Sequence, residues 1–330
     1  MNGKPLASVV LMCYNQKEYI PQAITCILNQ QCDFEFEIVV GDDGSKDGSR
    51  QLFLEYQAKY PDKIRIVAEG PNKGVLGNWR DAVALCSGKY VAVCHCDDFW
   101  HDTGKLQKQV DFMEKNPEYG LVHTDAHYLL TSNGAVIENY NSKNQTIRDG
   151  NVFEDLIESK FYLSTLTVCF RKDLFDRYVD INSYIKAGFI YEDLPTWLEL
   201  SRHTKFKYLP ESTATYRIMQ NSISRPQDLK KRFGFLKNHF VIKNYFINKY
   251  NVSDELRSKF EIMYHTKKFN MAYKWCSYEE ASDSFDYLKG KQQLNSKMKL
   301  QKMVLRYPLL HTTLKKIKSL YTPKTAVSHT

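Results

Sequence analysis

The sequence predicts an α/β fold: a mostly parallel, doubly wound, Rossmann-like sheet followed by a helical C-terminal extension. Three observations carry this expectation. Short β-branched runs alternate with stretches of helical spacing over the first hundred residues, and short connections join them, as in parallel strands with crossover helices. The run 91–100, VAVCHCDDFW, ends abruptly in two adjacent carboxylates, Asp97 and Asp98. From about Gln227 onward the alternation stops, and the chain turns helical, aromatic and basic.

Leu6–Cys13 is an apolar run of strand length, followed by the polar YNQKE. Pro21 suits the first turn of a helix, and Ile20, Ala23, Ile24, Ile27 and Leu28 recur at helical spacing. Glu37–Gly41 reads as a second buried strand that ends in Asp42-Asp43-Gly44-Ser45. Lys46–Ser49 then supplies capping residues for a helix running to about Tyr60. Ile64–Ala68 is a third strand, and a loop leads from it into a helix near Trp79–Cys86. Tyr90–Cys94 reads as a strand buried on both faces. Beyond it, Lys105–Lys115 is amphipathic and Gly120–Leu130 is strand-like, while Asn133–Asn151 reads as a polar surface excursion. Phe161–Phe170 is another apolar run. A further acid pair, Glu192-Asp193, precedes a helix at Leu194–Ser201, and Phe206–Leu209 and Thr213–Ile218 read as two short strands.

At 330 residues the chain can bury a sizeable core with an appendage beside it. No apolar run approaches the length of a membrane span, and the N-terminus lacks the pattern of a signal peptide. No GxGxxG follows the first strand and no GxxxxGK[ST] occurs, so neither a dinucleotide fingerprint nor a P-loop is expected. Cys94-His95-Cys96 invites a zinc reading, but strand alternation sends its members to opposite faces and no second pair follows. Scattered reduced thiols in a cytosolic protein fit better. From Tyr287 to Thr330 there are ten Lys and Arg and no Asp or Glu, leaving 36 basic against 38 acidic residues elsewhere. The positive excess therefore sits in the tail and points to an anionic partner. Its aromatics look like the core of a helical bundle rather than stacking platforms, so nucleic acid is not expected. Leu310, Leu314, Ile317 and Tyr321, ringed by Lys315, Lys316 and Lys318, have the spacing of an interfacial helix on an anionic membrane. A helix packed on the rest of the chain is the alternative.

Ligands of open α/β sheets sit beyond the carboxyl ends of the strands, so Asp97 and Asp98 would stand at the mouth of a site. Adjacent carboxylates repel unless a cation neutralises them, and a hard divalent ion with oxygen ligands is the natural candidate. Capping of a helix near Thr103 is the bland alternative.

The ordered series SVVLMCYNQKEYIPQAITCILNQ, EIVVGDDGSKDGS, NKGVLGNW…GKYVAVCHCDDFW, LQKQVDFMEKNPEYG, YEDLPTWLEL and ATYR…NSIS resembles inverting nucleotide-sugar glycosyltransferases of family 2, with the GT-A fold. The resemblance spans about Ser8 to Ser224, two thirds of the chain. It implies a catalytic domain over 1–225, with a nucleotide-binding half to about 100 and an acceptor half beyond. Residues 226–330 would form a helical, basic region. Tyr14 and its loop would flank the base, Asp42 would accept a hydrogen bond from it (most often uracil), and Lys73 would contact base or phosphate. Asp97 would serve the ribose or the metal, and Asp98 the metal, Mn²⁺ or Mg²⁺. Asp193, beside Glu192, would be the catalytic base. A helix-capping turn is the alternative for Asp42, and a helix N-cap for Asp193.

Two positions depart from the family pattern. His95 stands where an acid is usual two residues before Asp97, and Ile218-Met219 follows Tyr216-Arg217 where many members carry a His. A thioether is a poor ligand for hard ions. Arg217 would take part of the diphosphate charge, or else form a core-edge ion pair. The activity the resemblance implies is transfer of a sugar from a nucleotide-diphosphate donor, a UDP-sugar in the pattern of the family, to a saccharide or lipid-linked oligosaccharide. Such synthesis of bacterial surface polysaccharide would run at the cytoplasmic face of the membrane. A catalytically degenerate nucleotide-sugar-binding protein is the alternative, and a sugar-nucleotide pyrophosphorylase is disfavoured because YNQKE is not a Gly-rich basic loop.

Overall fold

Four parallel strands, β1 (Ala7–Cys13), β2 (Phe36–Asp42), β3 (Ile64–Ile66) and β4 (Tyr90–His95), form half of a nine-stranded sheet in the order β3-β2-β1-β4. The structure is a computed structural model that describes residues 4–219, 228–307, 309 and 311–313. Every residue of β1 is buried, which is why its sequence is apolar throughout rather than alternating. Register sets Met12 opposite His95 and Cys13 opposite Asp42, so β1, β2 and β4 finish level at one edge of the sheet. Three crossover helices connect these strands: α1 (Ile20–Leu28), α2 (Ser49–Lys59) and α3 (Gly74–Leu85). Helix α3 starts at Gly74, ahead of the predicted Trp79. Gly74 and Gly77 weaken the helical signal of a turn that buries Leu76 and Asn78.

A buried carboxylate ties the opposite edge together. Glu37 accepts from Ser8 Oγ (2.7 Å), Ser87 N (2.6 Å), Ser87 Oγ (2.7 Å) and Arg65 (3.0 Å). Burial raises its proton affinity, but these donors outweigh it and hold the carboxyl below its ordinary range.

The second half of the sheet is mixed. It comprises β5 (Phe99–Trp100), β6 (Tyr119–Leu130), β7 (Val136–Ile137), β8 (Cys169–Arg171) and β9 (Lys205–Ile218). Strand β8 lies antiparallel between β4 and β6, β9 runs parallel to β6, and β5 closes antiparallel on β9. The two predicted late strands are one. Thr124 pairs with Leu209 and Asp125 with Ser212, so Pro210-Glu211 bulges out, as a residue lacking an N–H requires. Around the sheet stand α4 (Lys105–Lys115), α5 (Tyr140–Asn144), α6 (Phe153–Ile157), α7 (Lys172–Tyr178), α8 (Ile181–Lys186) and α9 (Asp193–Ser201). The predicted surface excursion at 133–151 holds β7 and α5, and buries Tyr140 and Asn141. Asp125, itself buried, draws that polar segment inward by accepting from Asn141 N (2.9 Å), Ser142 N (3.2 Å) and Tyr208 OH (3.0 Å).

By internal packing the chain divides into unit 1, residues 1–227 with 241–250, and unit 2, residues 228–240 with 251–330. Helix α10 (Leu229–Lys249) contributes to both. Beyond the predicted boundary at 225, Val241–Tyr250 belongs to unit 1. There the buried Glu199 accepts from Tyr184 OH (2.9 Å) and the Tyr250 hydroxyl, and pairs with Lys249 (2.6 Å). Unit 2 adds α11 (Asp254–Lys274), α12 (Tyr278–Gly290) and α13 (Ser296–Leu305), packed on Phe269, Ala272, Ala281, Leu288, Met298 and Leu305. No helix among the described residues is long and apolar enough to cross a membrane. The stripe at Leu310, Leu314, Ile317 and Tyr321 lies outside the described residues.

Candidate functional site

The end of β4 turns sharply: Asp98 N donates to the His95 carbonyl (3.0 Å), which places Asp97 half-buried and Asp98 fully buried. Arg217, on β9, clamps this turn. Its backbone N–H donates to Asp98 Oδ1 (2.9 Å), its guanidinium donates to the Asp97 carbonyl (2.6 Å) and to Gln22 Oε1, and Tyr19 and Phe99 lie under it. Burial, then the neighbouring Asp97 charge, raise the proton affinity of Asp98 well above a usual carboxylate, and the Arg217 contacts only partly offset them.

Glu192 and Asp193 open α9, with Glu192 at the N-cap position and Asp193 as the first helical residue. Neither acts as a side-chain cap; the Glu192 carbonyl instead accepts from Thr196 Oγ1 (2.6 Å). His95 Nε2 and Glu192 Oε1 lie 3.1 Å apart, both buried, and neither has an aligned hydrogen bond among the described residues. Burial opposes charge on His95, but Glu192, with Asp97 and Asp98, pushes it up to about 9. Asp193 Oδ1 accepts from Leu194 N (2.6 Å) and Oδ2 from Thr165 Oγ1 (3.4 Å). Burial and then the Glu192 charge raise Asp193 to about 6, against the pull of the Leu194 N–H, His95 and Thr165.

At the end of β2, Asp42, Asp43, Lys73, Asn78 and Asp81 line one small cleft. Asp42 Oδ1 accepts from Ser45 N (3.4 Å) and Oγ (2.5 Å), which ties the side chain to the loop three residues on, while Gly48 caps α2 without a side-chain bond. Asp43, buried, accepts from Lys73 N (2.7 Å), and Lys73 Nζ pairs with Asp81 (2.5 Å). Gly41 lets Asn78 approach closely: a Cβ there would meet Asn78 Oδ1 at 2.8 Å. Tyr14 is 51% exposed just beyond β1. Its loop is tied to the β2 loop through Asn15 N to Ser45 Oγ (2.9 Å) and Lys46 N to Asn15 Oδ1 (2.7 Å).

The structure therefore gathers His95, Asp97, Asp98, Glu192 and Arg217 into one cluster with Asp193 beside it. Asp42 and Lys73 share the second cleft, and Tyr14 stands exposed on the loop that Asn15 ties to the β2 loop. Thr165, Gln22 and Asn78 complete these contacts without having drawn notice in the sequence. Thr165 sits inside an apolar run, and Gln22 and Asn78 are single polar residues on helices. Among the described residues no three His, Cys, Asp or Glu side chains converge as a ready metal-ligand set. Two adjacent carboxylates whose mutual repulsion favours a proton nonetheless suit a divalent cation that brings further oxygens with it.

The sequence profile of Glycosyl transferase family 2 matches residues 8–176. The putative teichuronic acid biosynthesis glycosyltransferase TuaG of Bacillus subtilis is 28% identical over 225 residues, which cover 68% of this chain and 83% of that one. The chain spans about a third (32%) of the length of the first curated relatives it matches. Among solved structures, a mannosyltransferase of Pyrobaculum calidifontis in complex with GDP-Man and Mn²⁺ superposes with a TM-score of 0.54 at 15% identity, covering 97% of this chain and 88% of that one. TarS 1–349 of S. aureus in complex with UDP superposes with a TM-score of 0.53 at 13% identity, covering 98% and 94%. At such identities the likeness is one of fold, and the fold is the GT-A type.

Proposed function

The chain belongs to glycosyl transferase family 2, and from that premise we propose that it is an inverting, metal-assisted enzyme that moves a sugar from a nucleoside diphosphate to a saccharide or lipid-linked saccharide. One observation carries the reading: Asp193 is raised to about 6 at the start of α9, beside the strand end that presents Asp97 and Asp98. A sugar hydroxyl is too weak an acid to attack unaided, and a carboxylate with a pKa near the working pH is an efficient acceptor for its proton. Asp193 takes that proton as the hydroxyl oxygen bonds to the anomeric carbon. The bond from that carbon to the diphosphate breaks on the opposite face, and no covalent enzyme intermediate forms.

Asp97 and Asp98 would hold Mn²⁺ or Mg²⁺ together with diphosphate oxygens, and the ion would neutralise charge gathering on the leaving group. Arg217 fixes the turn that presents both acids, and His95, kept cationic by Glu192, adds positive charge at the same strand end. Tyr14, Asp42 and Lys73 bind the nucleoside. Lys73 must exchange its Asp81 partner for the ligand to do so. UDP in the TarS complex supports a uridine nucleotide, GDP-Man in the mannosyltransferase complex supports a guanosine one, and TuaG supports an acceptor in surface-polysaccharide synthesis. Residues 1–225, together with the 241–250 segment that packs with them, form the catalytic domain, and the basic C-terminal region holds it at the cytoplasmic face of the membrane. The test is nucleotide release from a panel of UDP- and GDP-sugars with lipid-linked acceptors. Release that needs both acceptor and Asp193 supports the reading; nucleotide binding without turnover across the panel favours the degenerate binder.

A further inference from the structure

Helix α13 buries one face and leaves a second apolar face uncovered. Met298, Val304 and Leu305 are buried, whereas Leu300 is 57% exposed, Met303 56% and Tyr307, just past the helix, 60%. These three recur at i, i+3 and i+7, so they form one stripe rather than scattered surface residues. Leu309, just beyond, is 87% exposed, and grouped exposed apolar side chains suit a contact site better than scattered ones do. Lys297, Lys299 and Arg306 stand exposed beside the stripe, while Lys302 is turned away to Asp286 (3.3 Å) and Ser282 (3.1 Å). No acid occurs from Tyr287 to Thr330.

We infer that the Leu300–Met303–Tyr307 face of α13 is a docking surface for an anionic lipid bilayer. This rests on the membrane localisation proposed above and assigns it to particular side chains. An apolar stripe bordered by basic residues lies in the headgroup plane, its apolar side chains inserting while the charges meet anionic lipid. A protein partner of that chemistry would have to offer apolar and acidic groups together at one site. A bilayer offers both over its whole surface, and the sequence beyond the helix stays free of acids.

The experiment is flotation of the full chain with vesicles of phosphatidylcholine alone or containing one quarter phosphatidylglycerol. The chain should float with anionic vesicles only and lose at least about tenfold in partition as salt rises through the range that screens surface charge. The triple variant Leu300→Ser, Met303→Ser, Tyr307→Ser should lose about tenfold or more, with an unchanged thermal transition showing that it folds. Lys297→Gln and Lys299→Gln should each lose roughly fivefold. Equal flotation of the folded triple variant overturns the assignment to this face, even though the chain binds membrane. Equal flotation with neutral vesicles overturns the anionic partner. A dimer in sedimentation velocity that the triple variant abolishes overturns the inference in favour of a second copy. Turnover without any flotation overturns it while leaving the proposed activity standing, and flotation without turnover does the reverse.

Discussion

His95 Nε2 and Glu192 Oε1, buried 3.1 Å apart, join the end of β4 to the first turn of α9. The contact links the strand that presents the carboxylate pair to the helix that carries the candidate base. Because Glu192 also raises the proton affinity of Asp193, its charge acts on both partners at once.

The pH dependence of turnover should show this. Asp193 works as the carboxylate, so kcat should fall tenfold per unit below an acid limb at about 6. Glu192→Gln removes a charge that raises Asp193 and should move the limb to lower pH. Thr165→Val removes a donor to its carboxylate and should move it to higher pH. A limb that both variants leave in place means that another group is the base.

Asp193→Asn should lower kcat by about 10²–10⁴-fold with nucleotide affinity nearly kept. It should also stabilise the fold. Asp193 holds its proton more tightly folded than unfolded, so its contribution is full below about 4 and is lost as pH rises through about 6. At pH 8 the variant should therefore gain up to about 3 kcal/mol, less after screening by solvent. Thermal unfolding at pH 8 and pH 4 checks this: the gain should appear at the first and vanish at the second.

Glu37 has the opposite sign and no place in the chemistry. Its folded carboxyl is held below its ordinary range, so its stabilisation is present above about pH 4.5 and is lost as pH falls through the depressed value. Glu37→Gln should cost roughly 2 kcal/mol in urea denaturation at pH 7. Turnover per folded molecule should be unchanged.

Excess EDTA should abolish turnover of the unmutated chain, and Mn²⁺ or Mg²⁺ should restore it. Asp98→Asn should raise the ion concentration needed at least tenfold. Calorimetry should find the ion binding more tightly with nucleoside diphosphate than without, because the two adjacent carboxylates leave most of its oxygen ligands to be supplied. Full turnover in EDTA would remove the ion from the mechanism.

Much of this was legible in the residues. β1 and β4 are apolar runs of strand length, and Asp97, Asp98 and Asp193 stand where the strand and helix signals break. What was not legible depends on residues far apart in sequence. Arg217 meets Asp98 only because β9 returns beside β5, and Thr165 reaches Asp193 only through the turn before β8. The Pro210-Glu211 bulge looked like a gap between strands because a local pattern cannot register a partner strand that continues past it. Asp125 hid the same way: an acid in a β-run reads as a surface residue until its donors from 141, 142 and 208 are known.

Glu199 has one more consequence, and it concerns the order in which the chain is made. This buried carboxylate pairs with Lys249 and the Tyr250 hydroxyl, which leave the ribosome about fifty residues later, at the end of α10. Until they arrive, Glu199 has only Tyr184 and His203 among these partners, and the C-terminal half of α9 lacks its ion pair. The packing of α9 in a nascent chain therefore gains these partners only once residue 250 has emerged, well after Asp97, Asp98, Glu192 and Asp193 have been synthesised.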